Sequence, residues 1–345
     1  MIDISIDMLS VGNADAIIVW LKDNSNNHYV VLIDGGNKSD GEKVINHLEK
    51  YVLGQGKSGK NAPDLIISTH HDKDHIGGLT EVVNHYGNAI SEVWVNNPAH
   101  YMDKHAYGLI KESFRKQSEK KQYQVILESL NNLDEFITAV DNHGIVRNDA
   151  LYGRSKHEGI IQILGPSEDF YKSLLPGMDG LEDFVTQEAN WAYNSIYSEP
   201  TINESLEESS PCPIVDEENQ TSATNNSSVI LQILAREQNK YLFTGDAGVS
   251  AFEDVEDRFS LEGIHWLDVP HHGSRRNLSS RLIDTMSPNV CYISAKGGIK
   301  HPRRALVNCL KNHGAKVYCT KNGNNMWHHR GDFPERSEYS SMEPL

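Results

Sequence analysis

The sequence is short of several things, and each shortage narrows what it can be. No apolar run in its 345 residues approaches the length of a bilayer span, which argues against a membrane-spanning helix. Met1-Ile2-Asp3-Ile4-Ser5 lacks the pattern of a secretory signal peptide. Cysteine is scarce. Cys212, Cys291, Cys309 and Cys319 show no CxxC spacing, and the last three fall in apolar strand or helix patterns where a cysteine acts as a small buried hydrophobe. A reducing cytoplasm is the expected home, with no membrane partner. Positive charge is missing altogether between Lys172 and Arg236, a stretch with eleven Asp and Glu. Since the chain carries a formal net charge of −16, everything outside that stretch sums to −5. From Pro270 to Arg304 the sign reverses: Arg275, Arg276, Arg281, Lys296, Lys300, Arg303 and Arg304 face only Asp284. The overall acidity therefore does not exclude a nucleic-acid or other anionic partner.

What is present centres on His70-His71-Asp72-Lys73-Asp74-His75. Four residues able to bind metal, His70, Asp72, Asp74 and His75, follow the apolar run Leu65-Ile66-Ile67 and precede Gly77-Gly78. A strand end projects alternate side chains to one side, so His70, Asp72 and Asp74 can converge, with His75 added at the turn. Four further motifs share that position just past a strand: Asp34-Gly35-Gly36, Gly245-Asp246, His271-His272-Gly273-Ser274 and His301-Pro302. Singly each is an ordinary turn. Together they place carboxylates and imidazoles on one rim. Gly54-Gln55-Gly56-Lys57-Ser58-Gly59-Lys60-Asn61 is close to a phosphate-binding loop, but it ends in Asn, follows a helix and leads into Pro63 and a strand, so it reads as a connector.

Apolar periodicity predicts strands at 2–8, 16–21, 29–33, 64–69, 90–95, 160–164, 229–234, 241–244, 264–269, 290–294 and 316–320, alternating with helices at 42–53, 79–86, 123–140, 251–259, 279–286 and from 301 to about 312. Two sheets flanked by helices is the expected α/β architecture. Within one domain spanning 1–330, residues of about 98–150 read as a mainly helical insertion. The acidic Ser/Asn/Pro-containing stretch at about 198–224 reads as a mobile loop open to proteolysis or a protein partner, and 331–345 as a tail. Trp327-His328-His329-Arg330 reads as part of a terminal hairpin.

The ordered motifs resemble those of the metallo-β-lactamase superfamily, whose hallmark is an H-x-[H/D]-x-D-H loop, and more closely the soluble nuclease-type domain of ComEC-like DNA-uptake proteins. The residues are Val11-Gly12-Asn13-Ala14-Asp15-Ala16, Leu32-Ile33-Asp34-Gly35-Gly36, Ser68 to Leu79, Asn225-Asn226-Ser227-Ser228-Val229, Phe243-Thr244-Gly245-Asp246, Val269 to Ser274, and Ile293-Ser294-Ala295 with His301-Pro302. The resemblance implies a four-layer αββα sandwich with two divalent metals, Zn²⁺ or Mn²⁺ with Mg²⁺ admissible, at the rim. One metal would take His70 and Asp72, the other Asp74 and His75, with Asp246 bridging. A late histidine completes the second site: His301 and the His271-His272 pair are both candidates, with His301 favoured as the ligand and His271 or His272 as ligand or proton donor. Asp34 is expected behind a ligand histidine, and Asn226 likewise behind the ligands. Two departures bear on chemistry: Asp72 stands where many relatives have His, as do Asn225-Asn226. Oxygen in place of nitrogen hardens the site. The implied activity is hydrolysis, with a phosphodiesterase acting on DNA as the first expectation. Arg275, Arg276 and Lys296 would hold phosphate, and Asp74, His271 and His272 would act in catalysis. A hydrolase of a small ester, lactone or nucleotide is the alternative.

Overall fold

The computed structural model describes residues 1–197, 221–298, 300–337, 339 and 343–345. Fourteen strands among them form two sheets of seven. The first contains β1 (Asp3–Met8), β2 (Ile17–Lys22), β3 (His28–Ile33), β4 (Leu65–Ile67), β5 (Glu92–Trp94) and β6 (Val146–Asn148), with β14 (Met326–Arg330) beside β1. The second runs from β7 (Ser155–Lys156) through β8 (Ile161–Gly165), β9 (Ile230–Ala235), β10 (Asn239–Phe243), β11 (Ile264–Asp268) and β12 (Val290–Ile293) to β13 (Lys316–Cys319). Each sheet is antiparallel over its first four strands and parallel over the rest.

Period-2 alternation explains the layering. Val31 and Ile33 of β3 point into the core between the sheets, whereas Val30 and Leu32 point outward under helices. Both faces of β3 are therefore apolar, as a strand covered on both sides requires. The helices Gly41–His47, Leu79–Tyr86 and Lys121–Asn142 cover the first sheet. Val249–Glu256, Ser280–Met286 and Arg304–Asn312 cover the second. The result is the expected αββα sandwich.

The structure adds detail to the sequence expectations in four places. The insertion's helical part ends at Asn142, because Val146–Asn148 joins the first sheet beyond β5 in parallel. Helix Leu181–Tyr197 was not foreseen; its apolar Leu181, Phe184 and Val185 pack with Ile110, Phe114 and Leu130 of the insertion, making a small separate core. The Trp327–Arg330 segment forms no local hairpin but pairs with β1, over 300 residues away in sequence. Two described residues of the 331–345 tail are packed on the sandwich: Phe333 is buried in the core outside the first sheet and Arg336 is bonded to Asp7. The acidic stretch lies outside the described residues from 198 to 220, but its last part, Ala223–Asn226, is a buried helical turn capped by Ser222. Among the described residues no helix is long and apolar enough to cross a membrane.

Candidate metal centre

Every motif of the rim arrives from a strand end. β4 leads to Thr69-His70, β3 to Asp34, β10 to Asp246 and β11 to Pro270-His271-His272. Ligands collect at the carboxyl ends of strands for this topological reason. Close packing holds the central loop in place: Gly35 N donates to His75 O at 2.7 Å and Gly78 N to Gly36 O at 3.1 Å. A side chain at Gly78 would meet the Gly35 carbonyl at 2.1 Å, so only glycine permits this approach.

The donor atoms converge without satisfying one another. His75 Nε2 lies 3.2 Å from Asp246 Oδ1, and His70 Nε2 lies 3.9 Å from Asp246 Oδ2 and 3.7 Å from Asp72 Oδ2. His272 Nε2 is 3.4 Å from Asp74 Oδ2. Donor atoms of His70, His75 and Asp246 fall within 4.8 Å of one another, as do those of Asp74, His75 and His272. His70 Nε2, His75 Nε2 and Asp246 Oδ1 are buried and make no hydrogen bond of good geometry. Buried polar atoms are nearly always paired, so three converging orphans fit a bound cation. The donor set, imidazole with carboxylate, suits a divalent transition metal.

The far side of each imidazole is fixed. Asp34 Oδ2 lies 2.9 Å from His75 Nδ1, and the same carboxylate accepts from Thr69 N and Oγ1 at 2.8 and 2.6 Å. Ser294 O lies 2.9 Å from His272 Nδ1. Both contacts place the hydrogen on Nδ1 and leave Nε2 facing the centre. His271 differs: Asn225 Nδ2 donates to its Nδ1 at 3.1 Å, which leaves the hydrogen on Nε2, 3.8 Å from Asp246 Oδ2. His271 and His272 both have left-handed backbone, with φ of 50° and 54°. That conformation costs non-glycine residues about 1–3 kcal/mol each and is held by the surrounding contacts. One of these is the bond from His271 N to Gly245 O.

The electrostatics match the geometry. Burial opposes charge on His75 and His272, yet Asp246 and Asp34 around the first and Asp15 and Asp74 around the second raise both imidazoles well above their ordinary range. Burial likewise pushes Asp74 upward, but its contacts with His272 and His75 prevail and hold it at about 2. His301 moves the other way, down to about 2, through burial and the neighbouring His271 and His272.

The structure brings His70, Asp74, His75, Asp246 and His272 together, with Asp72 at the edge and Asp34 behind. His301 belongs to none of these donor clusters; its ring stacks on His271 at 5.6 Å. Asn226 Oδ1 lies against Gly248, and Asn225 bonds to His271. Arg275 and Arg276 line the cleft above the centre, Arg276 lying 5.8 Å from the Trp191 ring, but Lys296 is exposed and does not line it. Sequence reasoning missed Asp15, whose carboxylate lies 3.5 Å from His272 Nδ1 and 3.7 Å from His75 Nδ1. It also missed Asp268, a buried carboxyl pushed well up by burial and by Asp15. A lone acid ending the mainly apolar strand Ile264–Asp268 was the available signal. Glu188, buried and raised to about 7 by desolvation, accepts from Ala223 N and Thr224 Oγ1 at 2.9 and 3.0 Å and had no legible pattern.

Such a rim on such a sandwich defines a class of metallohydrolase. The family model of the metallo-beta-lactamase superfamily matches residues 10–186, and the chain belongs to that superfamily. It is similar to hydroxyacylglutathione hydrolase of Pectobacterium atrosepticum, 33% identical over 82 residues, which is 24% of this chain and 28% of the relative. It is 40% identical over 70 residues to the enzyme of the same name from Photobacterium profundum, 20% of this chain and 23% of the relative. The chain thus spans about a quarter of the length of the curated relatives it matches.

Proposed function

We propose that the protein is a metal-dependent hydrolase of a small anionic ester or thioester. The observation that carries this reading is the cleft over the centre. It has a volume of about 590 Å³, within the range of small-molecule sites, and helices Lys121–Asn142 and Leu181–Tyr197 wall one side. Asp72, Asp74 and Asp246 lie at its base, and Lys73, Lys121, Arg275, Arg276, Lys300 and Arg303 line it elsewhere. Cations in that number suit a substrate bearing carboxylate or phosphate. The names of the similar enzymes make an acylated thiol the first candidate.

His70, Asp72 and Asp246 would hold one divalent ion, and Asp74, His75, His272 and Asp246 a second, Zn²⁺ or Mn²⁺. Metal bound there supplies Lewis acidity and lowers the pKa of water. Around it, Asp34 and Ser294 O keep His75 and His272 in the ligand tautomer. His271, with its Nε2 hydrogen turned inward by Asn225, is the proton donor for the leaving group, a role that geometry suits better than metal binding. Arg275 and Arg276 orient the charged end of the substrate.

Asp34→Ala should weaken metal affinity about 10- to 100-fold, the usual cost of losing the group behind a ligand. A competitive chelator titration measures it, and unchanged affinity would remove Asp34 from this role. The reaction class is tested by a substrate panel with Zn²⁺ or Mn²⁺: acyl thioesters, carboxylic esters, lactones, nucleotides, and single- and double-stranded DNA and RNA. Thioester or ester turnover without cleavage of nucleic acid is expected. A DNA nuclease, tied to the ComEC-like resemblance, is the second reading, favoured by the same cations. Cleavage of oligonucleotides alone would select it.

A further inference from the structure

Beside the metal cleft lies a second cavity, and it has a different chemistry. Its volume is about 40 Å³ and its walls are mainly apolar: Met102, Ile110 and Phe114 from the insertion, Leu130 from the long helix, and Phe184 from Leu181–Tyr197. Ile126, Glu188 and Thr224 line both this cavity and the cleft, so the two spaces adjoin at these side chains. His71 also reaches it, from between His70 and Asp72 of the central loop. The apolar end of a molecule seated there would thus touch a residue whose two chain neighbours are candidate ligands.

From this juxtaposition we infer that the cavity is an acyl subsite, accepting the apolar part of the ester or thioester while the cationic rim holds its charged part. The assignment rests on the hydrolase reading above. A mainly apolar cavity favours apolar molecules over water, which finds few wall groups there to replace its lost hydrogen bonds. The space corresponds to roughly three water-sized groups, enough for an acyl chain of about three or four carbons. The long helix packs on the first sheet through Leu133 and Phe136 and turns Ile126 and Leu130 to the small separate core, so the gap lies outside the sandwich. Specificity then divides between the two spaces. The insertion selects the acyl group, and the Arg-lined cleft selects the leaving group.

The test is binding of straight-chain carboxylates from acetate to octanoate to the full chain, measured by calorimetry. Affinity is expected to rise about fourfold per methylene up to butyrate or pentanoate and then level or fall. In Ile110→Phe, which fills the space, the optimum moves to a shorter chain while acetate binding is unchanged. If that variant does not fold, the series on the unmodified protein decides. Affinity flat from acetate to octanoate, or an optimum that stays put in folded Ile110→Phe, would overturn the proposal and leave a packing void. Binding needs no turnover, so the result is separate from the substrate panel. An enzyme that cleaves no ester yet shows the chain-length optimum keeps the subsite and loses the hydrolase reading.

Discussion

Replacing Asp246 by alanine should reduce turnover by about 10³-fold and remove metal from the purified protein. This carboxylate is the one group within reach of three histidines among those described: His75 at 3.2 Å, His271 at 3.8 Å and His70 at 3.9 Å. Its own position is rigid, since Ser228 Oγ accepts from Asp246 N at 3.1 Å and Asn277 donates to Asp246 O at 2.8 Å. Both candidate ion positions lose a ligand at once, and preorganised charge in a buried site is worth about 10²–10³ in rate even for single groups. Asp246 is held well below the usual carboxylate range: burial opposes its charge, but His271, His75 and His272 outweigh that cost. Alanine therefore also leaves those imidazoles without their counter-charge. Elemental analysis and kcat together check the expectation. Full metal content with near-normal kcat would show that the centre does not depend on Asp246.

The largest expected effect on stability lies far from the cleft. Arg336→Ala should cost about 3–5 kcal/mol, the penalty for leaving one member of a buried ion pair alone. Arg336 donates from Nε and Nη2 to the two carboxylate oxygens of Asp7, both at 2.9 Å, and both side chains are fully buried. Tyr339 adds a bond to Asp7 at 3.2 Å and His47 stands at 3.4 Å. Burial raises the Asp7 carboxyl, yet its bonds to Arg336 and His47 prevail and hold it at about 2. A carboxyl depressed on folding adds stability that is complete above its unfolded value near 3.8 and is lost as pH falls through about 2. The variant should therefore be weaker at neutral pH, and its deficit should shrink as the acid limb is descended. Urea unfolding at pH 7 and pH 3 measures both. Replacing Asp7 and Arg336 together by leucine and methionine should recover much of the loss, because no unpaired charge remains. A single-variant loss under about 1 kcal/mol would mean that this contact contributes no more than an exposed pair does.

The contrast between these two sites bears on what a sequence discloses. The convergence of the His70–His75 loop was legible because its spacing is local. His70, Asp72, Asp74 and His75 lie within six residues, and strand geometry alone makes such neighbours converge. Apolar alternation likewise disclosed most strands, since a strand covered on both faces must be apolar on both. Asp246 and the His271-His272 pair were legible as residues that follow strands, although their partners were not. Asp7 shows the opposite case. As one polar residue in an alternating strand it reads as solvent-facing, and its buried partner lies 329 positions away.

The sequence by itself determined the layers, the rim and the residue types available for chemistry, because those follow from periodicity and from short spacings. Only the tertiary structure decided which neighbours each histidine ring meets. His272 faces Asp74 while His271 Nδ1 accepts a hydrogen bond from Asn225, and that difference comes from which carbonyl or amide packs behind each ring. It also decided the form of the cleft. Helix Leu181–Tyr197 closes over the insertion because their apolar faces need each other, a pairing between segments that sequence spacing cannot announce.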